Sequence, residues 1–319
     1  MVMEHKYIKL VHNTPSHEDW FVVNWCMGNT CNFECSYCPD NLHSGSIKWP
    51  ELDKVKAFIT RIVEQVAPRK VYFELTGGEV TLYKHFVEIC KHCTELGAKV
   101  GLISNGSRTL RWWEDNKQYF DHVCLSFHPE FAEEDHFIKV VKILHDDVRT
   151  HVNIMMSPEK FSSCYAIANK IKNITNISMA LQPLIYDFGT EMYEYTAPQK
   201  NIFDKQHDLI VKHIKHTKEF DYYRGAMKMI NEDGTEGAAS SAHRFLSEQT
   251  NDWSGWKCYM GVEQIIVDLA GDIFKGWCRV GGKIGNIFED FEVPKTPVIC
   301  NKTMCHCNFD IMCTKEKVM

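Results

Sequence analysis

No run of apolar residues in this 319-residue chain approaches the roughly 18 that a membrane-spanning helix needs, and the opening MVMEHKYIKLVHN lacks the apolar core of a secretory signal. A soluble, cytoplasmic protein is expected, with no membrane partner. Positive charge is not in excess either: 36 Lys and Arg face 42 Asp and Glu, for a formal charge of −6. No general field draws in a polyphosphate, so nucleic acid is not an expected partner. Internal repeats and long low-complexity segments are missing. With 44% hydrophobic and 24% charged residues, disorder is excluded as the dominant state.

Cysteine is what the chain has in abundance. There are 14 in a protein too large to need disulfide staples. Cys31, Cys35 and Cys38 lie within eight residues of one another, and Cys258, Cys278, Cys300, Cys305, Cys307 and Cys313 follow residue 257. In a reducing compartment such groups are more often metal ligands than disulfides. Cys90 and Cys93 have redox-motif spacing, but they share a helical stripe with Phe86, Ile89 and Leu96 and are expected to pack the core. Cys26 and Cys164 are read as buried or incidental thiols.

From about residue 20 to 185, short β-branched or aromatic runs alternate with longer amphipathic stretches, the pattern of a parallel sheet. Strands are expected at Phe21–Trp25, Lys70–Leu75, Lys99–Ser104, His122–Phe127, His151–Met156 and Ile177–Leu181. The helices between them centre on Glu51–Val66, Lys84–Leu96, Leu110–Asn116, Glu133–Leu144 and Ser162–Lys172. The fold class is therefore α/β, an open, partial (β/α)6 TIM-like barrel over residues 21–185 after an N-terminal extension, 1–20. Residues 186–250 read as a helical and irregular linker, with a helix over Gln199–Lys218, a turn at Asp233-Gly234 and a small polar run, Gly237–Ala242. Residues 251–319 read as a small cysteine-rich domain organised around metal, with a hairpin of Ile265–Asp268 and Asp272–Lys275.

The segment Cys31-Asn-Phe-Glu-Cys35-Ser-Tyr-Cys38 follows the first strand, at the strand end where barrel sites are built. Three thiolates on one loop can hold three irons of a [4Fe–4S] cluster and leave the fourth open to an external chelate. A structural zinc site borrowing His43 is the other reading of these cysteines. With Tyr37 before the last cysteine, the C-x3-C-x2-C pattern resembles the radical S-adenosylmethionine (SAM) superfamily. Thr76-Gly77-Gly78-Glu79 after the second strand is similar to that family's glycine-glycine-glutamate motif, with Val80 where proline is usual. Ser104-Asn105-Gly106 matches the position of ribose contacts, and Ser126-Phe127-His128-Pro129 that of contacts to the SAM carboxylate or ribose.

The resemblance implies that the methionine end of SAM chelates the open iron. One electron then cleaves SAM to a 5′-deoxyadenosyl radical that abstracts hydrogen from substrate. It assigns cofactor contacts to Tyr37, Gly77, Gly78, Glu79, Ser104, Asn105, Ser126 and His128, with the glycines admitting backbone to the methionine ammonium and Glu79 adding charge beside it. A flavodoxin or ferredoxin as electron donor is implied as well.

The later cysteines are similar to the auxiliary-cluster extension called SPASM or, in its shorter version, twitch. The family's C-x2-C-x5-C-x3-C element is replaced here by C-x4-C-x-C-x5-C. One auxiliary [4Fe–4S] cluster is expected, on Cys258 and Cys278 with two of Cys300, Cys305 and Cys307, and with Cys313 the least favoured. A zinc ribbon of four cysteines, or three with His306, is the alternative. Strand alternation turns Cys124, Asn153, Met155, Ser178, Ala180 and Gln182 inward, leaving room for a polar substrate. The expected activity is oxidoreductase-type hydrogen abstraction from a small polar metabolite or peptide side chain. Ribosomal-peptide maturation and a non-catalytic two-zinc binding protein are the alternatives. Only about 20 residues precede the first strand, too few for an independent leader-binding domain.

Overall fold

A computed structural model describes residues 7–174, 177–186, 191–205 and 226–318. The chain begins with β1 (Tyr7–His12) and then enters the barrel with β2 (Trp20–Cys26), α1 (Leu52–Val66), β3 (Lys70–Thr76), α2 (Phe86–Glu95) and β4 (Lys99–Ser104). The barrel continues through α3 (Leu110–Asn116), β5 (His122–Phe127), α4 (Glu134–Leu144), β6 (Arg149–Met156), α5 (Phe161–Lys172) and β7 (Ile177–Pro183). Strands β2 to β7 lie side by side in sequence order and all pair in parallel. These are the six strands and five helices that the alternation of apolar runs predicts.

The local causes are plain in the side chains. In α1, Val55, Phe58, Ile59, Ile62 and Val66 recur every three or four residues and are all buried, so one stripe of the helix packs on the sheet. In α4, Phe137, Val140, Val141 and Leu144 do the same. Strand β5 is buried along its whole length, as expected of a parallel strand covered on both faces. Cys90 and Cys93 are fully buried in the main core with Phe86 and Ile89, as their helical stripe predicts.

After the barrel come α6 (Ala197–Asp204), β8 (Met227–Asn231), β9 (Glu236–Ser240), α7 (Ala242–Ser247) and β10 (Lys257–Cys258). They are followed by β11 (Gln264–Val267), β12 (Asp272–Phe274), β13 (Lys283–Asn286), β14 (Val298–Ile299), α8 (Asn308–Ile311) and β15 (Lys315–Glu316). The helix expected over Gln199–Lys218 begins as α6, and its stretch from 206 onward lies outside the described residues.

Pairing across the chain redraws the segments expected outside the barrel. Residues 7–12 do not stand apart as an extension: β1 lies between β15 and β8 in a six-stranded antiparallel sheet. The small run after Asp233-Gly234 is not linker. It is β9, paired with β8 across that turn, because Gly and Ala at an edge strand cost packing but leave backbone hydrogen bonding intact. The cysteine-rich segment is continuous with the barrel, since β11 pairs in parallel with β2 and carries β12 and β13 as further strands of the same sheet. Among the described residues no helix is long and apolar enough to cross a membrane.

Candidate functional site

The ends of β2 to β7 open onto a cavity of about 460 Å³, within the roughly 300–1,000 Å³ of ligand pockets. Cys31, Cys35 and Cys38 line it together with Gly77, Gly78, Ser104, Asn105, Ser126 and His128. The three cysteines sit on the loop that leaves β2, and several strand ends hold that loop in place.

The glycine pair does so by backbone contact. The Gly78 amide donates to the Gly28 carbonyl at 2.8 Å and the Glu79 amide to the Thr30 carbonyl at 2.8 Å. A Cβ on Gly78 would lie 2.3 Å from the Thr30 oxygen, and one on Gly77, at φ +152°, 2.4 Å from the Gly28 oxygen. Only residues without a side chain let the β3 exit run this close to the base of the cysteine loop. Gly78→Ala is therefore expected to displace the loop and abolish iron uptake at the first cysteine group, read as iron and sulfide per chain after anaerobic reconstitution. An iron content equal to that of the parent would count against this close-approach role.

Glu79 lies behind the cavity wall. Its carboxylate is fully buried and is not part of the cavity lining; it ties two strand ends together. Oε1 accepts from the Thr81 amide at 3.2 Å, the Thr81 hydroxyl at 2.5 Å and the Ser104 hydroxyl at 2.9 Å. Oε2 accepts from the Asn105 amide at 2.7 Å. Burial pushes the carboxyl pKa up, and these donors pull it back. Asn105, so held, donates its side-chain N–H to Asn32 Oδ1 at 3.0 Å and lies 3.8 Å from Cys31 Sγ. The third and fourth strands thus reach the cysteine loop through one carboxylate.

The fifth strand reaches it through His128 and Glu130. The Tyr37 hydroxyl is 2.9 Å from His128 Nδ1, and the two rings stack at 5.9 Å. Burial pushes the His128 pKa down to about 4, so the imidazole is neutral. Tyr37 also packs against Cys35. Glu130 grips the loop from outside, accepting from the Ser36 amide at 2.8 Å and its hydroxyl at 2.5 Å. Asn29, almost fully buried, donates to the Asn41 carbonyl and to the Ser44 and Ser46 hydroxyls and accepts from the Ile47 amide, which fixes the 41–47 segment beside the cavity. His43 on that segment lines the cavity, and its Nδ1 has no partner among the described residues. Glu130 and Asn29 carry no sequence signal: single polar residues whose partners come from folding have no spacing to read.

The inner wall beyond the cysteines belongs to β6 and β7. Asn153, Met155 and Gln182 line the cavity. Gln182 Nε2 donates to Asn153 Oδ1 at 3.1 Å, and Asn153 Nδ2 donates to Cys124 Sγ at 3.2 Å. Ser178 pairs with His151 Nδ1 at 2.8 Å, below the cavity lining, and Ala180 lies opposite Asn153 in the strand register. The described lining contains neutral amides, apolar side chains, histidines and thiols.

The second cysteine group gathers around two buried side chains, Asp310 and Lys315. Asp310 accepts from the Cys278 amide at 2.8 Å, the Trp277 amide at 3.1 Å and Gln264 Nε2 at 3.0 Å. Cys258, Cys278, Cys305 and Cys313 all lie within electrostatic range of that carboxylate. Cys313, which spacing ranks last, is fully buried in one cluster with Cys258, Met260 and Cys278. Cys300 is near Cys258, and its backbone pairs with Trp256. Cys307 forms the N-cap of α8, and Cys305 lies within electrostatic range of Cys258 and Cys278. Burial raises the thiol pKa of Cys35 and of Cys278 to about 12.

Both thiol groups suit a cluster that spreads its ligands over separate irons, one thiolate each. Among the described residues no three His, Cys, Asp or Glu side chains converge tightly enough to hold a single metal ion.

Residues 25–162 match the profile of the Radical SAM superfamily. A 94-residue stretch is 30% identical to a GTP 3′,8-cyclase of Actinobacillus succinogenes, covering 28% of this chain and 27% of that one. A 115-residue stretch is 29% identical to an S-adenosylmethionine-dependent nucleotide dehydratase of Psychrobacter lutiphocae, covering 30% and 36%. The chain thus spans about a third or less of the curated relatives it matches. Among solved structures, native anSMEcpe with bound AdoMet superposes at a TM-score of 0.51 with 16% identity, over 85% of this chain and 79% of that one. Streptococcus suis SuiB bound to precursor peptide SuiA superposes at 0.52 with 16% identity, over 85% and 63%. Those two likenesses bear on fold, while the profile match covers the cysteine loop and the ends of β3, β4 and β5. The domain spanning residues 25–162 is thus of the Radical SAM type.

Proposed function

We propose that the chain reductively cleaves SAM at a [4Fe–4S] cluster on Cys31, Cys35 and Cys38 and abstracts a hydrogen atom from a neutral polar substrate, a small metabolite or a peptide side chain. The observation that carries the reading is the shared cavity: three thiols on one loop face the same space as the ends of β3, β4 and β5 and the amides of β6 and β7. When bound, cluster and cofactor supply one-electron reduction and the 5′-deoxyadenosyl radical. The protein's part is to hold and exclude. Gly77 and Gly78 set the loop, and Glu79 sets Ser104 and Asn105, which we assign to cofactor contacts together with Ser126. Neutral His128, braced by Tyr37, presents its other ring nitrogen as a hydrogen-bond partner without adding charge.

Asn153 and Gln182 are the polar groups on the substrate side. A neutral, hydrogen-bonding substrate fits the described lining better than the phosphate-bearing nucleotides named for the curated relatives, because no Lys or Arg is among the described lining residues. Asn153→Leu is expected to raise the substrate KM by about three- to tenfold, the worth of one neutral hydrogen bond, while SAM cleavage without substrate is unchanged. An unaltered KM would remove Asn153 from the binding site.

A second [4Fe–4S] cluster on Cys258, Cys278, Cys305 and Cys313 completes the proposal, as an electron acceptor or a wall of the substrate site. Cys313 enters the set because it is buried in one cluster with Cys258 and Cys278, and Cys305 because it lies within range of both. The decisive experiment is anaerobic turnover with SAM and a flavodoxin, ferredoxin or chemical reductant in the presence of deuterated candidate substrates. Deuterium in 5′-deoxyadenosine supports hydrogen abstraction and identifies the donor. Methylthioadenosine or a methylated product would overturn the reading, and so would a zinc-loaded protein lacking sulfide.

A further inference from the structure

Lys315 is the one lysine fully buried among the described residues, and it sits inside the second cysteine group. Strand pairing puts it there. In the β10–β15 register Lys315 lies directly opposite Cys258, so the two side chains project from one face of the sheet. Its Nζ donates to the carbonyls of Asp310 at 2.7 Å, Ile311 at 2.8 Å and Cys313 at 3.0 Å. Three acceptors consume three N–H bonds, which a neutral amine does not have, so the group is an ammonium. Those acceptors are uncharged, and the ammonium also lies 4.5 Å from the centre of the Trp253 ring. Asp310, whose oxygens accept from Cys278, Trp277 and Gln264, also lies within electrostatic range of the ammonium. Cys258, Cys305 and Cys313 are the thiols within electrostatic range of Lys315.

A buried cation hydrogen-bonded to carbonyls is costly to desolvate, and anionic neighbours offset that cost: Asp310 is one, and the thiolates of Cys258, Cys305 and Cys313 are the others in range. Four thiolates around a [4Fe–4S] core carry a net charge of −2 when oxidised and −3 after one electron is added. Lowering that charge favours the added electron, since net charge and burial set the potential of such centres. We infer that Lys315 is the built-in counter-charge of the second centre and raises its reduction potential, so that it is poised to accept an electron rather than to supply one. The three carbonyl bonds fix the ammonium, which makes the charge a permanent part of the fold.

The inference rests on the second group holding a cluster, and one series of proteins separates the two claims. In a chain carrying Cys31→Ala, Cys35→Ala and Cys38→Ala, only the second group can take up iron. About four iron and four sulfide per chain after anaerobic reconstitution support the cluster, whereas zinc without sulfide overturns both claims. In the same background, Lys315→Gln is expected to lower the reduced-to-oxidised ratio at least tenfold at a fixed ambient potential, measured by EPR. That is 59 mV for a one-electron couple. An unchanged ratio overturns the role of Lys315 and leaves the cluster standing. Should the glutamine variant not fold, pulsed EPR of the reduced centre in protein labelled with 15N at the lysine side-chain nitrogen decides. A 15N coupling supports the inference, and its absence overturns it.

Discussion

Cys35→Ala is expected to cut 5′-deoxyadenosine formation by at least about a hundredfold, or about 2.7 kcal/mol of barrier. The argument is one of ligand count. Three thiolates hold three irons and leave one open, so removing any of them opens a second iron and the cluster loses its grip on the loop. Cys35 is the most enclosed of the three, packed with Tyr37 and Leu184 and next to Phe33 and Met155, so water has little access to take the vacated position. Two controls give the result its meaning. Cys93→Ala removes an equally buried thiol from the helix stripe and should cost stability while leaving SAM cleavage near parental. Cys258→Ala should leave SAM cleavage in place and lose coupled turnover. A Cys35→Ala protein that still made 5′-deoxyadenosine at the parental rate would end the assignment of the first group.

What local pattern can encode was legible in the chain before folding was considered. The βα alternation predicts β4 and β5 to the residue and the other barrel strands to within a residue or two, because each depends on a short apolar run that must be buried. The cysteine loop was legible for a similar reason: its three thiols lie within eight residues, so their spacing survives any fold. The glycines of the Gly77-Gly78-Glu79 motif could be found by position, but their task could not. The atom that a Gly78 Cβ would strike belongs to Thr30, 48 positions earlier in the sequence.

The same limit explains what was missed in the second half. Spacing ranks Cys305 and Cys307 together and leaves Cys313 aside, because it counts positions along the chain. Packing supplies what spacing cannot, through β15, which pairs with β1 from the opposite end of the chain and brings Cys313 and Lys315 in beside Cys258. Lys315 looks like an ordinary surface charge in a TKEKVM tail. Its burial follows from a sheet whose strands come from both ends of the chain. Asp310, too, becomes meaningful only when the Cys278 loop folds over it. Strands β8 and β9 were obscured by composition, since Gly and Ala at an edge resemble a linker until β1 is there to pair with β8.

Glu79→Gln separates two roles for the motif carboxylate, and its expected effect on the cluster-free protein is a loss of about 1–3 kcal/mol of stability. The hydroxyls of Thr81 and Ser104 can rotate to accept a hydrogen bond, but the backbone amides cannot. One of them, Thr81 N–H, meets Oε1, and the other, Asn105 N–H, meets Oε2. Whichever way a glutamine amide is turned, its NH2 faces one of these donors and leaves it unpaired in a fully buried site. The ends of β3 and β4 then separate, and Asn105 loses the alignment that takes it to Asn32 and Cys31. SAM affinity should fall by about five- to 150-fold, the binding equivalent of the same free energy. Chemical denaturation of the cluster-free variant decides between the roles. If the carboxylate served only as a charge beside the cofactor, removing that charge would weaken SAM binding and leave the denaturation midpoint where it was. A midpoint that shifts to lower denaturant with an unchanged slope is the signature of the strand tie.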